Sequence, residues 1–364
     1  MLDPRLADTS SLVYGQFSGQ LGKTGHSHRG RRANLILIGL AVVLVVLGVL
    51  SFMVGRYPIS PDKVIGMLFG SVAPIDQFWT TQEATIFFNV RLPRVVLAML
   101  VGCCLASAGA AYQGTFQNPL VSPDILGASQ GAALGAAVAI LIGFASFGVS
   151  ALAFVFAIGT VMLVVLVAQA ARGNQVLTVV LAGVMVSSLA SAGVSFAKLV
   201  ADPADQLPAI TYWLMGSLTS AKPADVQMVI APMAAGLITL FVLRWRINIL
   251  TMGDEEASTM GVNTKRLRFV IIIAATLITA ASVAVTGMIG WVGLVIPHLS
   301  RMLIGSDYRK LMPASMLMGA CFLLLVDDVS RLATTAEIPI GILTAFIGAP
   351  FFLYLITREG KKHK

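Results

Sequence analysis

The sequence predicts an all-α polytopic membrane protein with about ten transmembrane helices. Three observations carry that prediction. Of its 364 residues 57% are hydrophobic and only 12% charged, about half the charge of a soluble domain, as expected when most of the surface faces lipid. Apolar runs of about 20 residues, the length that crosses a hydrocarbon core, recur along the chain. The basic residues gather in the tails and in alternate connections between those runs, which is how orientation in a bilayer is encoded.

The first span is expected over 34–54, after the basic stretch that contains Arg29, Arg31 and Arg32. It is too long for the apolar core of a signal peptide and no A-x-A site follows, so it reads as a retained helix. The others follow at 92–112, 125–144, 149–170, 176–200, 226–243, 269–288, 291–304, 311–326 and 340–357. The eighth is the weakest, because Pro297 and His298 interrupt it. With the N-terminus inside, the N-terminal tail and the 244–268 connection each hold five Lys/Arg, the C-terminal tail four and the 301–310 connection three. With Arg172, that places 18 of the 25 Lys/Arg on the cytoplasmic side. This asymmetry puts both termini in the cytoplasm. The chain then divides into a disordered cytoplasmic tail (1–33), a ten-helix domain (34–357) with a cytoplasmic loop at 244–268, and a basic C-terminal tail (358–364). Two short stretches, 61–70 and 210–217, lie outside and read as interfacial or re-entrant helices, the second carrying Tyr212 and Trp213.

Several function classes are excluded. The net charge of +8 is not arranged as a basic face interleaved with aromatics, so nucleic acid is not a partner. Cys103, Cys104 and Cys321 lie inside apolar runs without a CxxC pair and read as packing residues. Gly22-Lys23-Thr24 ends like a phosphate-binding loop, but the leading glycine would fall on Phe17, so the chain has no nucleotide site of its own and binds no cofactor. His298 reads as a structural histidine, and His26 and His28 fall in the polar tail. No metal centre or catalytic set emerges. Carboxylates are nearly absent from the spans, which argues against an ion-coupled secondary transporter, the alternative from another class.

Some local features stand out. Gly127, Gly131 and Gly135 form small-xxx-small steps that allow close helix packing. Asp124, after the two prolines of 117–124, is placed to cap the next helix. Gly253 and Gly261 bracket a short acidic helix begun by Asp254, Glu255 and Glu256, where the helix dipole favours acids. Arg91 and Arg94, three residues apart, can point the same way at the outer end of the second span. Asp327, Asp328 and Arg331 sit at the outer end of the ninth and read either as a local salt bridge or as snorkelling groups, while the arginines offer a docking patch for acidic residues of an external partner.

Five segments in order, over 56–357, resemble the FecCD-type permease family (type II ABC importers of ferric siderophores, haem and cobalamin). They are Arg91-Leu-Pro-Arg94; the run from Gln113 to Gly127; Gly253-Asp-Glu-Glu-Ala257 with Met260-Gly-Val262; the run from Gly287 to His298; and the run from Glu337 to Pro350. The resemblance implies a homodimer in the cell (inner) membrane. Two cytoplasmic ATPase subunits, which use ATP and Mg, would bind below it, and one extracytoplasmic solute-binding protein above. It implies that Gly253, Asp254, Glu255, Glu256, Ala257, Met260 and Gly261 form the ATPase coupling helix, and that Arg91, Arg94 and Arg331 meet the binding protein. It places the pathway along the fifth and tenth helices, with Arg172, Gly173, Asn174 and Gln175 as the cytoplasmic gate. The implied mechanism is alternating access. The implied cargo is a ferric siderophore or haem first, with cobalamin or molybdate as alternatives.

Overall fold

The computed structural model describes residues 8–55, 57–70, 76–170 and 175–362, and no strand occurs among them. In chain order its α-helices are α1 (Asp8–Met53), α2 (Pro61–Gly70), α3 (Thr81–Ile86), α4 (Leu92–Thr115), α5 (Ala128–Leu141), α6 (Ser146–Ala170), α7 (Gln175–Val200), α8 (Gln206–Met215), α9 (Pro223–Leu250), α10 (Asp254–Thr259), α11 (Thr264–Thr286), α12 (Val292–Ile304), α13 (Tyr308–Leu332) and α14 (Ile340–Lys362). Seven of them are long and apolar enough to cross a membrane, and α5, α12 and the Ile340–Tyr354 part of α14 are shorter apolar helices. Together they occupy the ten positions the hydropathy pattern assigns. The multi-pass membrane architecture is therefore the architecture of this chain. The two short helices expected at 61–70 and 210–217 also form, as α2 and α8.

One expectation is corrected, at Asp124. At the N-terminal end, α1 runs continuously from Asp8 to Met53. No proline lies between Pro4 and Pro58 to interrupt it. Only its Arg31–Met53 part is apolar, so the boundary near 34 is one of composition rather than of backbone. Asp124 does not cap α5. It lies inside a 3₁₀ turn (Pro123–Leu126), where its partly buried carboxylate accepts a hydrogen bond from Ser129, and left-handed Gly127 (φ +80°) starts the helix instead.

The centre of the fold is α4. A side chain on Gly102 would land on the backbone carbonyl of Gly319 in α13, and one on Gly109 on that of Gly293 in α12. These helices therefore touch backbone to backbone, which is how helices associate when lipid offers no hydrophobic drive between them. The expected steps at Gly131 and Gly135 work the same way against Thr160, Phe156 and Leu152 of α6. α12 is short, about 20 Å at 1.5 Å per residue, because Gly287 (φ +69°) and Trp291 (φ +70°) turn the chain before it begins. Such irregular backbone is tolerated at membrane depth only where protein covers it, and Ile289 and Val292 beside it are buried. In contrast, α1, α7 and α9 present rows of exposed large apolar side chains, among them Leu35, Val45, Met185, Leu189 and Val242.

Gly109→Ala is expected to lower the thermal unfolding midpoint of the purified protein by the equivalent of about 1–3 kcal/mol, the cost of overpacking a closed contact. Gly159→Ala in α6, where nothing lies within 4 Å of the added carbon, serves as the control. Equal midpoints for the two variants would contradict backbone contact at α4.

Candidate functional site

Two polar regions lie at opposite ends of the helical body. The one at the end that the charge asymmetry assigns to the outside, called outer below and its opposite inner, begins with a geometric problem. α1 ends at Met53, so the carbonyls of Ser51, Phe52 and Met53 lack partners within the helix. Two arginines from distant sequence supply donors. Arg91, in the π turn Phe87–Arg91 that joins α3 to α4, donates to the carbonyls of Phe52, Met53 and Tyr57. Arg331, in the last turn of α13, donates to the carbonyls of Ser51 (3.4 Å) and Val54 (3.2 Å) and to Ser51 Oγ (2.6 Å). Cations at a helix C-terminus also complement its dipole.

Arg94 sits three residues beyond Arg91, yet it faces a different partner. Its Nε is 2.9 Å from Asp327 and its Nη1 2.8 Å from Glu337. Arg331 Nε approaches the other oxygen of Asp327 at 3.2 Å, and its Nη2 pairs with Asp328. Ser51 Oγ, which accepts from Arg331, donates to Asp328 at 2.7 Å. Arg91, Arg94 and Arg331 are only 5–8% exposed and Asp327 is fully buried. The pair Arg91 and Arg94 therefore does not form one outward-pointing patch. Three carboxylates balance three guanidinium groups inside the chain, and the local salt-bridge reading of Asp327 and Asp328 is the one the structure realises. Arg94 Nη2 is buried with no acceptor among the described residues.

Glu337 carries this cluster onward. It also accepts from Thr219 Oγ1 (3.2 Å), in the connection from α8 to α9. Beside it, Ser217 N donates to the carbonyl of Thr286 (2.7 Å) and Gly341 N to that of Gly216 (3.3 Å), so the ends of α8 and α11 meet the start of α14. A side chain on Gly287 would strike the carbonyl of Trp213, and one on Gly341 those of Met215 and Met288. Glycine alone lets these three chain segments meet.

The inner region lies one helix length away, since the 24 residues of α4 span roughly 36 Å at 1.5 Å each. Just past its end, Gln117 Nε2 donates to the carbonyl of Leu250 (2.6 Å), the last residue of α9. Gly253 (φ +121°) then turns the chain into α10, and Gly261 (φ +78°) turns it out again. Ala257 is buried, and Arg268 in the first turns of α11 binds both oxygens of Asp254 (2.9 and 2.7 Å). Asn263 caps α11 by accepting from Arg266 N (3.0 Å). Glu255 and Glu256 remain exposed on this six-residue helix, as does Met260 at its C-cap.

Arg172, Gly173 and Asn174 lie outside the described residues, and Gln175 is the first residue of α7. Among the described residues no group of three or more His, Cys, Asp or Glu could hold a metal ion. Sequence reasoning missed Ser51, Glu337 and Thr219 as members of the outer cluster. The signal for Glu337 was a lone carboxylate between apolar stretches. Nothing marked Ser51.

Residues 43–358 match the family model of the FecCD transport family. The molybdate import system permease protein MolB of Haemophilus influenzae is 40% identical over 328 residues, 89% of this chain and 97% of that protein. The Fe(3+)-citrate import system permease protein YfmE of Bacillus subtilis is 38% identical over 343 residues, 92% and 98% of the two. Among solved structures, the inward-facing conformation of a metal-chelate type ABC transporter superposes with a TM-score of 0.80 at 39% identity, covering 89% of this chain and 99% of that one.

Asp327→Asn is expected to destabilise the protein by about 3–5 kcal/mol, because it strips two buried guanidinium groups of their shared counterion. Arg309→Gln, which removes a partner of Asp307 (3.0 Å) in a pair whose side chains are both largely solvent-exposed, should leave the midpoint nearly unchanged. Unfolding midpoints of both variants in detergent check this, and an unaffected Asp327→Asn protein would show that the network is not structural.

Proposed function

This chain belongs to the FecCD transport family and is the permease of a type II ABC importer, and from that premise we propose that it moves a metal chelate, a ferric siderophore or haem, into the cytoplasm by alternating access. The permease is not itself catalytic; two partner ATPases using ATP and Mg supply the energy, and an extracytoplasmic binding protein delivers the cargo. The observation that carries this reading is the placement of α10 and the arginine cluster at opposite ends of α4. A machine that couples cytoplasmic ATP hydrolysis to external delivery needs one docking surface on each side and a stiff body between them.

In this proposal α10 is the coupling helix. Its exposed Glu255, Glu256 and Met260 meet the ATPase, while Asp254–Arg268 and buried Ala257 pass its displacement to α11 and α9. On the outer side, Arg94 is the docking residue best equipped, because its Nη2 is a buried donor still without an acceptor. Carboxylates of the binding protein would exchange with Glu337, with Arg91 and Arg331 holding the surface in place. α7 carries exposed Leu181, Met185, Leu189 and Phe196 on one side of the helix. A second copy of the chain covers that side in a homodimer, with the pathway between α7 and α14 and the 172–175 connection as its inner gate. The positive-inside asymmetry puts both termini in the cytoplasm. The high identity to a molybdate permease over nearly its whole length supports molybdate as the second cargo reading.

The test is ATPase activity of the complex in lipid, with its binding protein empty or loaded with ferric siderophore, haem or molybdate. Stimulation that depends on the load identifies the cargo, and indifference to every load argues against import. Glu255→Lys with Glu256→Lys is expected to cut that stimulation at least tenfold without shifting the unfolding midpoint, since both residues are exposed. Undiminished coupling would remove α10 from this role. Arg94→Lys keeps the charge but loses the fork, and docking should weaken while its salt dependence persists. Docking as tight as in the unmodified protein would count against Arg94.

A further inference from the structure

A cavity of about 1070 Å³ opens between α1, α9, α12 and the start of α13. It lies at the same end of the body as α10, because Asn248 at its edge binds Asp307 (2.7 Å) and Tyr308 N (2.8 Å) two residues before Leu250 ends α9. Its charged lining is Arg32, Arg244, Arg301, Arg309, Lys310 and Asp307. Five cations thus face one carboxylate, and that carboxylate is already held by Arg309 at 3.0 Å and by Asn248. Arg301 donates to the neutral Gln113 (3.0 Å), and Arg244 to the carbonyl of Phe241 (2.7 Å) while lying 3.7 Å above that ring. Arg32, Arg244 and Arg301 have no carboxylate partner among the described residues. The other walls are apolar: Ile36 and Leu37 of α1, Phe241 of α9 and Leu303 of α12, of which Phe241 is 40% and Leu303 50% exposed.

We infer that this cavity is a binding site for an anionic phospholipid of the inner leaflet. Unpaired guanidinium groups select a phosphate through forked, charge-assisted hydrogen bonds. A free phosphate would use the cations but leave the apolar walls idle. A lipid uses both, its head group between Arg32, Arg244 and Arg301 and its acyl chains along the exposed faces of α1 and α9. Basic pockets between transmembrane helices on the cytoplasmic side are suited to such head groups, and the volume admits one with more than one phosphate. None of its lining residues belongs to α7 or α14, between which the pathway is proposed, so the lipid is no cargo. It joins α1 to the inner ends of α9 and α13, next to the segment that leads into α10. The inference depends on the membrane fold and not on which solute is imported.

The test is native mass spectrometry of the full-length, delipidated chain titrated separately with phosphatidylglycerol, cardiolipin, phosphatidylcholine and inorganic phosphate. One phosphatidylglycerol or cardiolipin should be retained per chain in preference to phosphatidylcholine. Arg32→Gln with Arg244→Gln should weaken that retention roughly thirtyfold. Arg246→Gln with Arg266→Gln removes two cations from the same end but outside this cavity and should not weaken it. Should the first double variant fail to fold, Arg32→Gln alone, at an exposed position, is expected to weaken retention several-fold. Equal loss in both double variants, or equal retention of phosphatidylcholine, overturns the site. Inorganic phosphate that binds alone and displaces the lipid overturns the lipid as its occupant.

Discussion

The ion-pair network around Asp327 fixes where the outer ends of the helices meet. Its carboxylate lies between Arg94 of α4 and Arg331 of α13, and through Arg331 and Ser51 it reaches the end of α1. Such buried pairs add little net stability, because desolvation offsets most of the Coulomb attraction. Their effect is on register. Sliding α4 against α13 by one residue would leave a charge unpaired in a place that water barely reaches. The same network settles the open carbonyls of α1, whose end would otherwise expose unpaired acceptors at the membrane boundary.

Further along α4, glycines replace charges as the agents of contact. At Gly102 and Gly109 the neighbouring helices approach to backbone distance. A body assembled this way has few side chains that can re-pack, so α4, α12 and α13 move together rather than slide. The segments where α8, α11 and α14 meet are held in the same way at Gly216, Gly287 and Gly341, so motion is left to the connections outside these contacts. This division gives physical content to the proposed rocking motion, in which a rigid unit carries a displacement between its ends.

Cargo identity lies outside this logic. A molybdate permease and a ferric citrate permease resemble the chain to nearly the same extent, so overall identity follows the shared scaffold and not the solute. What distinguishes members of such a family must reside in few positions or in the partner that delivers the solute.

How much could be read from the sequence follows from the range over which each constraint acts. Lipid acts on every helix along its own length, so the ten apolar segments, α2 and α8 were legible from local composition. The bracketing glycines Gly253 and Gly261 and the acids between them made α10 legible for the same reason: turn and dipole preferences are local. The continuation of α1 back to Asp8 was not, since its polar residues carry no apolar period and only the lack of a breaker pointed to it. Nor could local signals reveal that Asp124 would turn inward to Ser129. Arg91 and Arg94 were recognised as out of place in a span, but their destinations were not. Arg94 finds Asp327 across 233 positions, and Gly102 finds Gly319 across a similar interval. The sequence by itself determined the helices and the ends that carry charge. Only the tertiary structure decided which charges neutralise one another and which remain available, because pairing depends on surfaces that meet only once the helices have packed.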